Sequence, residues 1–415
     1  MRKFYCFRFF PALLLLAFPV FLNAQIRMNA MGVKGAVLEV VSEINQDSVR
    51  SVISNLQGYG TRFMGNANRR QIYKWIRNKF LSYGFTDVTI DSFLCNTYAN
   101  QMGLTTQYNV IAKLNGSRYP DQYYIIGGHY DSYARASVLD APGADDNASG
   151  TAAVLEAARV IKKKNYTPAA TLLFIAFAAE ELMNYGDSGS EHYAAAAKAA
   201  NMNIKLMINN DMIGYSQSAP AYSNVEVNNY TGFNNIAEFA KDVTRNYTVL
   251  NPITGVLDQM SDSYPFFSAG YPVVYFEESV FSPFYHGASD KLSNLNIPYC
   301  TEIIKASCAT LLSYVESVVS NEQLEKLPSG YKLNQNYPNP FNPSTAITYE
   351  LPESGYVRLK VFDQLGREAA ILVDGPVNAG IHTVYFNGTG LASGNYFYRI
   401  ETGKFAGTRK FTLLK

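Results

Sequence analysis

Eight residues have the types and positions to do chemistry together: His129, Asp131, Asp145, Asp146, Glu180, Glu181, Asp211 and His286. Most of them follow short apolar runs. Tyr123 to Gly128 leads into His129-Tyr130-Asp131, Phe174 to Ala179 into Glu180-Glu181, and Lys205 to Asn210 into Asp211. Pro272 to Phe276 leads into Glu277-Glu278 and, eight residues later, His286, while Asp145-Asp146 lies in a loop before a helical stretch that Asn147 or Ser149 would cap. Singly, each has a plain structural reading: an Asp before a helix is usually a cap, a Glu pair after a strand a solvated turn, a lone His a hydrogen-bonded core residue. Together they outweigh it, because two of only four histidines and several carboxylates fall at the same rim. His192, in a helical segment, and His382, near the C-terminus, do not fit that rim and are read as structural.

Two imidazoles and several carboxylates, with no thiolate, suit a pair of divalent ions, zinc first among them. A carboxylate bridging two ions gives a site that polarises a carbonyl and generates hydroxide from water near neutral pH. Asp131, two residues after His129, is placed to hold the other imidazole nitrogen and fix its tautomer. Adjacent side chains at a strand end point opposite ways, so one of Glu180 and Glu181 can bind metal while the other stays free as a general base.

The elements that must position these residues alternate. Apolar runs at Val88 to Ile90, Tyr108 to Leu114, Tyr123 to Gly127, Leu172 to Ala178, Ile204 to Ile208 and Pro272 to Phe276 read as strands. Amphipathic stretches such as Gly150 to Lys163, Gly189 to Ala200 and Asn234 to Asn246 read as helices, with a last helix over Tyr299 to Ser320. This predicts an α/β domain with a mostly parallel mixed sheet flanked by helices, whose binding crevice lies beyond the carboxyl ends of the strands. Beyond a polar linker at 321–330 the period changes to two: Ile347, Tyr349, Leu351; Val357, Leu359, Val361; His382, Val384, Phe386; Tyr396, Tyr398, Ile400. Residues 331–415 are therefore expected to form a small all-β, immunoglobulin-like sandwich.

Of the 415 residues 47% are hydrophobic and 17% charged, and the net charge is +1, which argues against disorder and against nucleic acid as a partner. The neutrality is an average: residues 25–330 carry 28 acidic against 23 basic residues, and 331–415 carry 6 against 9. Residues 1–24 join a basic start to a short apolar run ending at Ala24, the pattern of a cleaved secretory signal peptide and too short for a stable transmembrane anchor. Cys95, Cys300 and Cys308 remain after it; the last two, about two helical turns or 12 Å apart, are too distant for a disulfide. The expected organisation is a signal peptide (1–24), the α/β domain with the site (25–320), a linker (321–330) and the sandwich (331–415).

The strings Gly128-His129-Tyr130-Asp131-Ser132, Gly143-Ala144-Asp145-Asp146-Asn147-Ala148-Ser149-Gly150, Ala179-Glu180-Glu181, Asn210-Asp211-Met212, Ser261-Asp262 and Tyr285-His286 resemble, in order, those of the co-catalytic two-zinc aminopeptidases of the bacterial leucyl type. The resemblance covers about residues 40 to 320 and implies a zinc exopeptidase-like fold. It implies His129, Asp145 and Asp211 on one Zn2+, Asp145, Glu181 and His286 on the other, Asp145 as the bridge with a cis peptide after it, and Glu180 as general base. Three departures stand out. Ser263 replaces a His common after Ser-Asp, the turn from Leu182 to Ser190 is long, and Asp258 stands where some members place an oxyanion-supporting Tyr, leaving Tyr264 and Tyr285 as candidates. Separately, Asn336-Tyr337-Pro338-Asn339-Pro340-Phe341-Asn342-Pro343, Leu365-Gly366-Arg367, Gly390 to Tyr396 and Arg409 to Lys415 resemble the C-terminal sorting domain of type IX secretion cargo.

These resemblances imply an aminopeptidase that hydrolyses N-terminal residues of peptides by a hydroxide held between two zinc ions. They also imply export by the type IX machinery through the periplasm and across the outer membrane, to the medium or the cell surface. The alternatives are a one-zinc glutaminyl cyclase on the same fold, a carboxypeptidase, for which no Arg is evidently placed to bind a carboxylate, and a non-catalytic binding ectodomain.

Overall fold

A computed structural model describes residues 35–96, 103–181, 187–255, 259–325, 328, 330–377 and 379–415. The expected signal peptide, Asp258 and most of the turn after Glu181 lie outside them. The chain divides into two units, one ending at Ser317 and one beginning at Val318.

The first unit is built on an eight-stranded sheet: β1 (Asp87–Asn96), β2 (Leu104–Leu114), β3 (Tyr119–His129), β4 (Ala170–Phe177), β5 (Asn203–Asn210), β6 (Asn224–Asn228), β7 (Asn251–Gly255) and β8 (Val273–Glu278). Their spatial order is β1-β2-β4-β3-β5-β8-β6-β7. The pairs β4/β3, β3/β5, β5/β8 and β6/β7 are parallel, and β1/β2, β2/β4 and β8/β6 antiparallel. The sheet is mixed, with the parallel strands at its centre as expected. Strands β6 and β7 were not expected; each is five residues long, and Asn-Val-Glu-Val-Asn carries too few apolar residues to stand out.

Alternation along the central strands feeds two apolar layers. Tyr124, Ile126, Leu172, Phe174, Leu206, Ile208, Val274 and Phe276 join one, against helices α1 (Gln46–Gln57), α2 (Arg69–Ser82), α3 (Ala148–Lys163), α5 (Asn234–Tyr247) and α7 (Ile297–Glu325). Ile125, Leu173, Ile175, Phe177, Met207, Val273 and Tyr275 join the other, against α4 (Gly189–Ala199) and α6 (Ser263–Ser268). The helices start where their caps dictate: Asn45 accepts from the Ser48 N–H, Asn147 from the Gly150 N–H, and Ser188 with Glu191 forms a capping box. Of the two candidates for α3, Asn147 is the cap. Helix α7 runs to Glu325, past the expected Ser320 and into the expected linker.

The second unit has two antiparallel sheets, β13-β10-β9 and β12-β11-β14-β15, formed from β9 (Lys332–Leu333), β10 (Ser344–Leu351), β11 (Gly355–Phe362), β12 (Glu368–Val377), β13 (Gly380–Asn387), β14 (Gly394–Glu401) and β15 (Ala406–Leu413). One core joins them, with Ile347, Tyr349 and Leu351 facing Val357, Leu359, Val361, Tyr398, Ile400 and Phe411. Strand β12 escapes a period-two reading because its register against β11 shifts twice and none of its residues is fully buried. The three cysteines among the described residues, Cys95, Cys300 and Cys308, are buried and free.

Candidate metal centre

Four parallel strands deliver the cluster at one rim. His129 is the last residue of β3, Asp211 follows β5, Glu180 and Glu181 lie just past β4, and His286 lies in the loop after β8. Among the described residues, three of the six non-glycine residues with positive φ adjoin or belong to it: Ala179 (63°), Met212 (48°) and His286 (54°). Such left-handed positions are uncommon for side-chain-bearing residues, and here they redirect the chain at each strand exit.

The shared carboxylate is that of Asp146, not Asp145. Asp146 Oδ1 lies 3.4 Å from His129 Nε2, and its Oδ2 lies 3.2 Å from His286 Nε2. His129 Nε2 is also 3.3 Å from Asp211 Oδ1, and His286 Nε2 is 2.7 Å from Glu181 Oε2. Two triads result, His129–Asp146–Asp211 and Asp146–Glu181–His286, with the ligand atoms of each within 4.8 Å of one another. Asp145 turns away: its Oδ1 accepts from the Gly214 N–H at 2.8 Å, and burial with the charge of Asp290 raises its carboxyl well above the usual range against a hydrogen bond with the buried Glu278, whose own carboxyl is raised by burial and by Asp145. The cis peptide correspondingly follows Asp146, between Asp146 and Asn147. Spacing alone does not decide which of two adjacent loop carboxylates faces inward, since no strand or helix period runs through them.

Glu180 belongs to neither triad; its Oε2 lies 3.7 Å from His129 Nε2. Asp131 does two things. Its Oδ1 lies 3.5 Å from His129 Nδ1 and accepts from the Glu180 N–H, and its Oδ2 accepts from the Glu181 N–H. Ser261 donates to Asp211 Oδ2 at 2.7 Å and receives from Asn209 Nδ2, fixing that carboxylate from behind.

Three residues to which the sequence reading gave no role complete the support. Asp290 accepts from the backbone N–H groups of Asp145 and Asp146, at 2.8 and 3.0 Å. The buried Arg62 guanidinium donates to the carbonyls of Tyr130, Pro142 and Gly143, at 2.7, 2.6 and 2.6 Å. Burial pulls its pKa down to about 10 against the opposing charges of Asp290, Asp131 and Asp146. Asp262, fully buried behind Ser261, is pushed up to about 7 by burial and the charge of Asp211, against the pull of His129. Only Asp262 had a sequence signal, the Ser-Asp string; Arg62 and Asp290 are far from the motifs they hold.

Burial raises Glu181 to about 8, with Asp146 adding to it and His286 opposing, and raises Glu180 well above the carboxylate range. For both histidines burial disfavours the imidazolium, but carboxylates win: Asp211 and Glu180 lift His129 well above its usual value, and Asp146 and Glu181 lift His286 to about 9. The side chains fit a metal pair. Both His129 ring nitrogens, Asp211 Oδ1 and Glu181 Oε1 are buried without a hydrogen-bond partner, which is costly unless a cation serves them. Ligands about 2.0–2.1 Å from a tetrahedral ion stand roughly 3.3–3.4 Å apart, as His129 does from Asp146 and Asp211.

Tyr285 stacks on His286, with ring centroids 3.7 Å apart, and Tyr133 meets the same imidazole edge-on at 5.0 Å. Burial and the neighbouring carboxylates keep the Tyr285 phenol protonated. Tyr264 packs instead on Phe267, in the layer with α4 and α6.

Residues 109–311 match the model of peptidase family M28, and residues 335–413 that of a secretion system C-terminal sorting domain. A probable zinc metalloprotease of Pyrenophora teres f. teres is 37% identical over 199 residues, 43% of this chain and 41% of that protein. The chain spans less than two thirds of the length of the curated relatives it resembles. Among solved structures, the LapA aminopeptidase of Legionella pneumophila aligns with a TM-score of 0.58 at 21% identity, covering 68% of this chain and 75% of that one. A glutaminyl cyclase of Bacteroides thetaiotaomicron aligns at 0.55 and 17%, covering 65% and 98%. At these identities the likeness is one of fold.

Proposed function

We propose that this chain, whose residues 109–311 match the peptidase family M28 model and residues 335–413 that of a secretion sorting domain, is an exported, zinc-dependent aminopeptidase. The observation that carries the reading is the Asp146 carboxylate, with one oxygen toward each histidine of two adjoining triads. His129 and Asp211 would hold one zinc, Glu181 and His286 a second, and Asp146 both. Ions bound there would polarise the scissile carbonyl and acidify water. Glu180, beside the first triad but outside it, takes the proton of the attacking water and hands it to the leaving amine. Asp131 keeps the His129 ring oriented and, through two N–H groups, holds the backbone that carries Glu180 and Glu181. Tyr285, protonated and stacked on His286, would donate to the oxygen that gains charge. The acidic surroundings favour the free amine of a peptide N-terminus.

The sorting domain would route the protein through the periplasm and across the outer membrane by the type IX machinery, to the medium or the cell surface. Among the described residues no helix is long and apolar enough to cross a membrane.

The test combines metal analysis with an aminoacyl substrate panel. We expect close to two zinc ions per chain, and expect Glu180→Gln to keep both while losing at least about a hundredfold in turnover, the usual scale of a lost general base. One ion per chain together with cyclisation of N-terminal Gln would replace this reading with a cyclase. Full activity of the variant would remove Glu180 as the base.

A further inference from the structure

Arg135 stands beside the carboxylate-rich rim. Arg135 lies in the segment between Asp131 and the Asp145-Asp146 loop, its side chain exposed. Its backbone N–H donates to the His286 carbonyl at 3.0 Å. Its guanidinium sits over the Tyr285 ring, 5.5 Å from the centroid, and that ring stacks on the His286 imidazole at 3.7 Å. Guanidinium, phenol and imidazole thus form a column leading from the proposed metal ligand outward. Arg62, the other nearby arginine, is buried and spends its donors on three carbonyls. Arg135 makes no ion pair among the described residues, so its charge faces solvent at the mouth.

We propose that Arg135 is a specificity-determining residue that selects short peptides by pairing with their C-terminal carboxylate. This rests on the aminopeptidase reading. A peptide bound with its amine among the acidic residues and its first carbonyl beside His286 extends outward at about 3.3–3.6 Å per residue. The carboxylate of a tripeptide then lies about 7 Å beyond the scissile bond, level with the end of the column. A guanidinium held over an aromatic face keeps its planar donor edge free for a carboxylate. Longer peptides would lack that charge at that depth and lose the contact.

The experiment compares kcat/KM for Leu-Gly-Gly and its C-terminal amide in the wild-type holoenzyme, Arg135→Gln and Arg135→Lys. The wild type should favour the free acid, by roughly fivefold at low ionic strength as befits an exposed pair, and less in 0.5 M salt. Arg135→Gln should bring the ratio to about one, and Arg135→Lys should keep part of it. An acid-to-amide ratio of one in the wild type, or one that survives in Arg135→Gln, overturns the role of Arg135 and leaves the aminopeptidase reading standing. Release of Gly with Leu-Gly in place of Leu with Gly-Gly overturns the aminopeptidase reading itself, and with it this proposal.

Discussion

At the scale of single residues, the adjacent Asp145 and Asp146 are separated by function through a turn of one peptide unit. Asp145 shares a buried environment with Glu278, both carboxyls raised, so an amide at position 145 mimics a protonated acid that already accepts from Gly214. Asp145→Asn should therefore keep its zinc through dialysis, whereas Asp146→Asn should lose both ions, as read by elemental analysis; the reverse pattern would return the bridging role to Asp145. The pH dependence follows from the same groups. Glu181 (about 8), Asp262 (about 7) and Asp290 (about 7) are carboxyls that the metal-free folded chain keeps protonated after the unfolded chain has released its protons, and His286 (about 9) holds its proton likewise. Their stabilisation is present at low pH and lost as pH rises, from above about 4 to about 8 for the carboxyls and from about 6.5 to 9 for His286. The Tm of EDTA-treated protein should accordingly fall between pH 5.5 and 8. Bound zinc supplies the positive charge in place of protons, so its stabilising increment should grow over that range. An EDTA-treated Tm that rises instead would contradict the protonation pattern. The types and order of the site residues were legible in the sequence because most follow an apolar run and the rest stand in recognisable strings. Which of two neighbouring aspartates faces inward, and that Arg62 and Asp290 hold their loop, were not, since a loop's rotation and contacts across 80 residues for Arg62 and 145 for Asp290 leave no period to read.

At the scale of elements, helix α3 starts almost in contact with the end of β5. Asn147 Nδ2 donates to the Asn210 carbonyl at 3.0 Å, and a Cβ on Gly150 would stand 2.0 Å from that same oxygen. Gly150→Ala should cost at least about 1–3 kcal/mol in urea unfolding, the usual range for overpacking, with metal affinity falling because Asn147 follows the shared carboxylate directly; wild-type stability would mean the helix has room to shift. The long alternating elements were readable from composition: β3, β4, β5 and β8 carry apolar runs that feed both layers. Strands β6, β7 and β12 were not, being short and polar or broken in register. Helix α7 runs to Glu325, beyond the Ser320 at which its apolar pattern stops.

At the scale of the whole molecule, the two units have separate cores and their residues contribute to separate tasks. Every member of both triads lies in the first unit. Deleting 331–415 should leave zinc content and aminoacyl hydrolysis per molecule unchanged while the protein accumulates in the periplasm, as cell fractionation would show; a folded but inactive truncation would mean that the sandwich serves the reaction. Asp290 and Arg62 bear on a different matter. They suspend the Asp145-Asp146 backbone and the loop before it, yet neither offers an atom to either triad. The loop that carries the shared carboxylate is therefore held by the polypeptide itself and not through the triad atoms, so ions bound there would be exchangeable, and the element found in a purified sample would record the supply the protein met as much as the preference of its ligands.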